Sequence, residues 1–257
     1  MKPSALSTAR PLKSGASAWT DQVPLTSVPL TSFTLQAGHE TVACDIMGHA
    51  PVQTLVLHGA GQSSRERQRP LRQALADMGC ASAALDFSGH GASTSHRPGS
   101  LEKRLEQAQA LLDQATTGPR TVVGVSMGGE IALRLACRPD NRITHVVTMV
   151  GAIYDAAAFT LPFGPAFTAA LRRHESWRDA QILRLLATYT GMLTLVRAGE
   201  DAVVPTEIAE LVRDQARVAR QCRIVDLPGV DHRISERCAN DAALTRTLAQ
   251  LVANPPA

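Results

Sequence analysis

Val122-Val123-Gly124-Val125-Ser126-Met127-Gly128-Gly129-Glu130 is the stretch on which the reading of this 257-residue chain turns. A short apolar run leads into Gly-x-Ser-x-Gly, and a helix-like stretch from Glu130 to Cys137 follows. Strand, tight turn and helix in succession expose a serine at the strand's carboxyl end, ready to act as a nucleophile. Glycine is needed at Gly124 and Gly128 because a side chain there would collide with neighbouring backbone, while the serine is held in strained geometry. The helix that begins there directs free N–H groups at any anion formed beside Ser126, with the Met127 amide as one oxyanion donor.

On either side of this turn, short apolar runs recur: Leu55-Val56-Leu57, Ala83-Ala84-Leu85, Val146 to Val150, Leu193 to Val196 and Ile224-Val225. They are continuous rather than alternating, which predicts strands buried on both faces, as in a parallel sheet. Phe33 to Gln36 and Thr41 to Met47, around Ala37-Gly38-His39-Glu40, read as an opening hairpin. Helical spacing separates the runs. Leu71, Ala74, Leu75 and Met78 form one stripe, Leu101, Leu105, Ala108 and Leu112 a second, and Leu244, Leu248 and Leu251 a third. Strands and helices in alternation predict an α/β fold, a mostly parallel sheet with helices on both faces.

One interval breaks the rhythm. About forty residues separate Val150 from Leu193, more than a crossover requires. They hold six of the nine aromatics: Tyr154, Phe159, Phe163, Phe167, Trp177 and Tyr189. Ile182, Leu185, Leu186 and Tyr189 predict an amphipathic helix within it. The interval reads as an inserted helical lid over 153–190, between core segments 31–152 and 191–257. Tyr154, Phe159, Phe163, Phe167 and Trp177 are candidate walls of an apolar substrate pocket, against the plainer reading that they bind the lid to the core. Arg172, Arg173 and Arg178 offer an anionic substrate a partner, or else form a solvated face.

A serine needs a base. Of eight histidines, His232 is best placed, in Leu227-Pro228-Gly229-Val230-Asp231-His232 after the last strand. His58 and His90 sit beside glycines in turns, where imidazoles bond to local backbone. The orienting acid should come from another strand end, between serine and histidine. Asp201 fits, directly after Leu193 to Val196, with Asp155 as the serious alternative; Asp231 and Glu200 are poorly aimed. A second oxyanion donor is expected in His58-Gly59-Ala60-Gly61-Gln62-Ser63, the Ala60 amide first and Gly61 second.

His58-Gly59, Asp86-Phe87-Ser88-Gly89-His90-Gly91, the Ser126 turn, Gly199 to Pro205 and Asp231-His232 resemble, in identity and order, the α/β-hydrolase superfamily. The resemblance covers residues 50–252, and within the superfamily the chain is similar to small-lid serine esterases: carboxylesterases, monoacylglycerol lipases and cinnamoyl esterases. It implies an eight-stranded sheet with strand two antiparallel and a lid after strand six. It also implies the roles of nucleophile, acid and base for Ser126, Asp201 and His232, and no metal or organic cofactor.

Composition excludes other classes. The chain is 44% hydrophobic and 19% charged, with a formal charge of +3, so neither disorder nor coiled coil describes the whole. No apolar run reaches the roughly 18 residues of a membrane span, which predicts a soluble chain. Scattered cations and 4% aromatics give no nucleic-acid surface. Five cysteines without metal or redox spacing predict reduced thiols and a cytoplasmic setting. Residues 1–30, rich in Ser, Thr and Pro, read as a disordered tail. The leading function is hydrolysis of a small-molecule carboxylic ester. A thioesterase or acyltransferase on an acyl chain borne by a carrier protein, or a non-catalytic ligand receptor, are the alternatives.

Overall fold

The computed structural model describes residues 27–117 and 120–254. Among them are eight strands: β1 (Leu30–Ala37), β2 (Glu40–Met47), β3 (Thr54–Leu57), β4 (Ser82–Leu85), β5 (Arg120–Val125), β6 (Ile143–Met149), β7 (Met192–Ala198) and β8 (Gln221–Leu227). They form one sheet in the order β1-β2-β4-β3-β5-β6-β7-β8. β2 runs antiparallel to both its neighbours, and every pairing from β4 to β8 is parallel. The expected fold class, opening hairpin and antiparallel second strand are all present. Of the expected N-terminal tail, residues 1–26 lie outside the described residues, and Leu30 already belongs to β1.

The continuous apolar runs have the cause their pattern predicts. Leu55 and Leu57 of β3 pack into one core, and Val56 between them packs into the other. Leu193 and Leu195 of β7 enter the first core, Val196 and Ala198 the second. Successive side chains point to opposite faces of a strand, so two buried faces require apolar residues at every position. The first core is covered by α2 (Leu101–Ala115), α3 (Met127–Ala136) and α6 (Glu207–Gln215), the second by α1 (Arg69–Asp77), α7 (Ile234–Asn240) and α8 (Ala242–Ala253). Ser100 caps α2 by accepting from the Lys103 amide at 3.0 Å, and Asp241 caps α8 through the Leu244 amide at 2.9 Å.

Between β6 and β7 the chain makes only short helical pieces, among them α4 (Pro165–Leu171) and α5 (Ile182–Leu185). The amphipathic helix expected over Ile182 to Tyr189 is one α-turn continued by a 3-10 turn, Leu186–Thr188. Its buried face is Ile182, Leu183, Leu186 and Tyr189, with Leu185 turned to solvent. The tighter 3-10 turn shifts the seam, and Tyr189 ends the helix in extended backbone with its hydroxyl donating to the Met192 carbonyl at 3.3 Å.

One charge cluster is sealed beneath the hairpin. Asp45 of β2 accepts from Arg65 at 2.9 Å and from the fully buried Arg72 of α1, whose Nε donates to Ser82 at 3.1 Å. Removing one partner of a buried pair leaves the other charge uncompensated. Asp45→Asn is therefore expected to lower the unfolding free energy by about 3 kcal/mol, read as a lower midpoint in urea. An unchanged midpoint would show that Arg72 does not depend on that carboxylate.

Candidate active site

Ser126 sits between the end of β5 and the start of α3 with φ 52° and ψ −117°. Close backbone approach makes the turn possible. A Cβ on Gly128 would lie 2.5 Å from the Leu57 carbonyl oxygen, and one on Gly124 would run into the Gly128 carbonyl and sit 2.8 Å from Gly129 Cα. The Ser126 amide donates to Met149 at 2.9 Å, and the Ser126 carbonyl accepts from Gly129 and Ala152 at 2.9 and 3.1 Å. The serine is thus braced on both sides by β6 and α3, with its hydroxyl standing above the sheet's carboxyl edge.

Two loops at the same edge bring up the other groups. Asp201 follows β7 and His232 follows β8, and the loops are laced together by Gly199 N–H to the Leu227 carbonyl and Glu200 N–H to the Val230 carbonyl, both 2.9 Å. His232 Nε2 lies 3.0 Å from Ser126 Oγ, while His232 Nδ1 lies 2.9 and 3.1 Å from the two Asp201 oxygens. A carboxylate only accepts, so Nδ1 carries the proton and Nε2 is free to accept from the serine. Asp201 is itself oriented by the Val203 and Val204 amides, at 2.8 and 2.9 Å.

The competing acids are engaged elsewhere. Asp155 accepts from the Ala157 amide at 2.6 Å and pairs with Arg173. Asp231 pairs with Arg233 at 2.9 Å. Arg178 pairs with Glu175 at 2.6 Å, so two of the three arginines considered for an anionic substrate already hold partners.

Ala60 and Ser126 line one cavity of about 150 Å³ together with His232. The Met127 amide opens α3, where no intrahelical acceptor exists, and neither it nor the Ala60 amide donates to another group among the described residues. Serine, imidazole and carboxylate are therefore brought together, with Ala60 on the same cavity and Met127 next to Ser126 in the chain. Such a set can transfer the serine's proton and receive a developing negative charge.

The aromatic residues are placed differently. The cavity beside Ser126 is walled by Gln62, Ser63, Arg67, Arg233, Ser235 and Glu236 as well, and none of Tyr154, Phe159, Phe163, Phe167 or Trp177 lines it. Phe167 is buried and the other four are half-buried against the core. Phe167 meets Tyr154 and Phe163 at ring distances of 6.0 and 4.8 Å, Phe159 lies 3.7 Å from the Arg134 guanidinium, and Trp177 lies 4.4 Å from that of Arg178. Face-on contact with cations and edge-on contact with each other occupy these rings within the fold.

Arg104 is the residue that sequence reasoning overlooked. It lies in α2 beside the apolar stripe, buried, with one nitrogen 3.0 Å from the Gly59 carbonyl and another 2.7 Å from His90 Nε2. The only signal available was a cation next to an apolar face, which is usually a solvated arginine.

The alpha/beta hydrolase fold model matches residues 55–200. A stretch of 103 residues is 32% identical to the lipase LipV of Mycobacterium tuberculosis, covering 40% of this chain and 38% of that protein, so the chain spans about two fifths of the relative's length. Among solved structures, Est1E from Butyrivibrio proteoclasticus with bound ferulic acid superposes with a TM-score of 0.64 at 18% identity, covering 86% of this chain and 98% of that one. The thioesterase domain from the curacin biosynthetic pathway gives 0.65 at 15% identity, covering 85% and 99%. At such identities the likeness is one of fold. No helix among the described residues is long and apolar enough to cross a membrane.

The close packing at the turn is testable through Gly128→Ala, whose methyl would press on the Leu57 and His58 carbonyls. A loss of about 1–3 kcal/mol in urea unfolding is expected from such overpacking. Wild-type stability in that variant would mean that β3 can give way.

Proposed function

The chain belongs to the α/β-hydrolase fold family, and on that premise we propose that it is a serine hydrolase that cleaves a carboxylic ester through an acyl-enzyme on Ser126. The observation that carries this reading is His232 held between Ser126 at 3.0 Å and Asp201 at 2.9 Å. His232 Nε2 takes the hydroxyl proton as Ser126 Oγ bonds to the ester carbonyl carbon. The Met127 and Ala60 amides receive the oxyanion, and Asp201 keeps the imidazole in the required tautomer and stabilises its charged form. As the C–O bond to the alcohol breaks, His232 returns the proton to the leaving oxygen. Water, activated by the same imidazole, then releases the acid and restores the serine.

The residues at the cavity favour a small acyl group. Its volume of about 150 Å³ and its Gln, Ser, Arg and Glu walls offer little apolar surface to a long chain. Residues 153–190 act as a lid packed onto the core, rather than as the wall that receives the acyl group. Five unpaired cysteines support a reducing, cytoplasmic setting. A thioester would use the same atoms, and the curacin thioesterase domain shows the same fold.

Purified wild type and variants should be assayed on p-nitrophenyl acetate, butyrate and decanoate and on the matching acyl thioesters. Acetate or butyrate is expected to turn over fastest. Ser126→Ala is expected to lower kcat by about 10⁶ and Asp201→Asn by about 10⁴, while Asp155→Asn keeps wild-type kcat. Full activity in Ser126→Ala would remove the nucleophile assignment. A consistent preference for thioesters would move the reading to a thioesterase, and no turnover of any substrate by folded wild type would favour a ligand receptor.

A further inference from the structure

Arg104 is a buried cation without an acid among the described residues. The other arginines buried in the core pair with carboxylates, Arg72 with Asp45 and Arg134 with Glu130. Arg104 instead lies between the rings of Phe87 and Phe163, 4.7 and 5.3 Å from their centroids, with its Nε unpartnered. Burial lowers its pKa only to about 10, so it is charged at neutral pH. An uncompensated buried charge is destabilising, and of its two bonds one goes to Gly59 in the loop that carries Ala60 and the other to His90, which bonds to Ser63 at the end of that loop.

Resting on the reading of Ser126 as the acylated nucleophile, we propose that Arg104 is a positioning residue that orients and polarises the Ala60 N–H as an oxyanion donor. Gly59 C=O and Ala60 N–H belong to one trans peptide and point in opposite directions. The carbonyl is held from behind by Arg104 at 3.0 Å and by His58 Nδ1–H at 2.7 Å. His58 Nε2 accepts from the Phe87 amide at 3.0 Å, which sets that tautomer. The far end of the loop is gripped by the same arginine through His90, whose Nε2 accepts from Arg104 at 2.7 Å and whose Nδ1–H donates to the Ser63 carbonyl at 2.9 Å.

Gly59, which begins this peptide, touches the serine. A Cβ on Gly59 would lie 3.1 Å from Ser126 Cβ, so the chain here is in contact with the nucleophile. With the carbonyl fixed toward Arg104, the Ala60 N–H is turned away from the guanidinium and toward the cavity that Ala60 shares with Ser126. A cation at the carbonyl end draws electron density along the peptide and makes its N–H a stronger donor. The benefit is greatest when the acceptor is an anion, that is, in the tetrahedral intermediate rather than with bound ester.

Wild type, Arg104→Met, Arg104→Lys, His90→Gln and Ser126→Ala are compared on p-nitrophenyl acetate. Binding of a trifluoromethyl ketone is measured alongside, as is the rate of Ser126 labelling by a fluorophosphonate followed by intact mass. Arg104→Met is expected to lower kcat by about 10²-fold with KM changed less than about twofold. Ketone affinity and labelling rate should fall in parallel. Arg104→Lys should recover part of the loss, and His90→Gln, a partly exposed site that leaves the core packing intact, should lose about tenfold by the same donor logic. If Arg104→Met does not fold, Arg104→Lys and His90→Gln carry the comparison. A purely structural arginine would lower the melting temperature and leave kcat, ketone affinity and labelling at wild-type values in the folded variants. That result, together with an inactive Ser126→Ala, overturns the role of Arg104 alone. Wild-type activity in Ser126→Ala overturns the nucleophile reading on which it rests.

Discussion

At Ser126 an L-residue is held at φ 52° and ψ −117°, a conformation that costs about 1–3 kcal/mol and survives only where the surroundings over-determine it. The over-determination comes from three directions. β3 presses its Leu57 and His58 carbonyls against Gly128, β6 accepts the serine's amide at Met149, and Gly129 packs against Gly151, where a Cβ would be 2.9 Å from the Gly151 Cα. Val150, which joins β6 to that contact, also takes a positive φ of 47°, and its amide donates to Val196 at 2.8 Å. The strain at the turn is therefore shared with the end of β6 and tied through it to β7, the strand that presents Asp201. Each group of the site hangs from a strand end whose position the same backbone contacts set.

Electrostatics divide the interior into two regimes. Under the hairpin, the buried charges of Asp45, Arg65, Arg72 and Asp86 satisfy one another, which is the ordinary condition for ions out of water. Near Ser126 the balance is different. Asp201 has its charge facing His232, and Arg104 has no acid among the described residues, its charge facing a peptide dipole. Both charges are directed along a chain of hydrogen bonds toward Ser126, one through an imidazole and the other through a peptide. In the acyl transfer proposed at Ser126, a transition state that separates an imidazolium from an oxyanion would match that pair of fields in sign, the carboxylate beside the cation and the guanidinium behind the proposed donor.

Much of this was legible before any coordinates, for identifiable reasons. Runs such as Leu55-Val56-Leu57 are apolar at every position because both sheet faces are buried, and that pattern survives tertiary context. The Gly-x-Ser-x-Gly turn is legible because backbone contact excludes every side chain at its glycines. His232 and Asp201 follow from the rule that such groups sit at the ends of strands. The segment between β6 and β7 was not legible in the same way. Its apolar spacing signals burial of some face without saying against what, and a 3-10 turn at Leu186 was enough to exchange Leu185 for Leu183. Aromatic density was an equally ambiguous sign: Phe159 and Trp177 satisfy arginines, which sequence spacing across so many residues does not encode.

Phe163 shows how the inserted segment and the site are joined. Its ring covers Arg104, its amide donates to Gly99 at 2.7 Å, and its neighbour Phe167 meets it at 4.8 Å. Arg104 in turn holds the carbonyl of Gly59, which touches Ser126. A displacement of the turn before α4 that lifted Phe163 would admit water to the guanidinium, weaken its hold on Gly59 and free the peptide to rotate. A hydrogen bond to a charged group inside a protein is strong because water is absent, and the same bond in contact with solvent is worth far less. The segment after β6 is therefore linked to Ser126 through Phe163, Arg104 and Gly59. Of its aromatic rings Phe163 is the one that covers this guanidinium, sharing it with Phe87, and a ring held there by a cation faces the fold rather than the cavity.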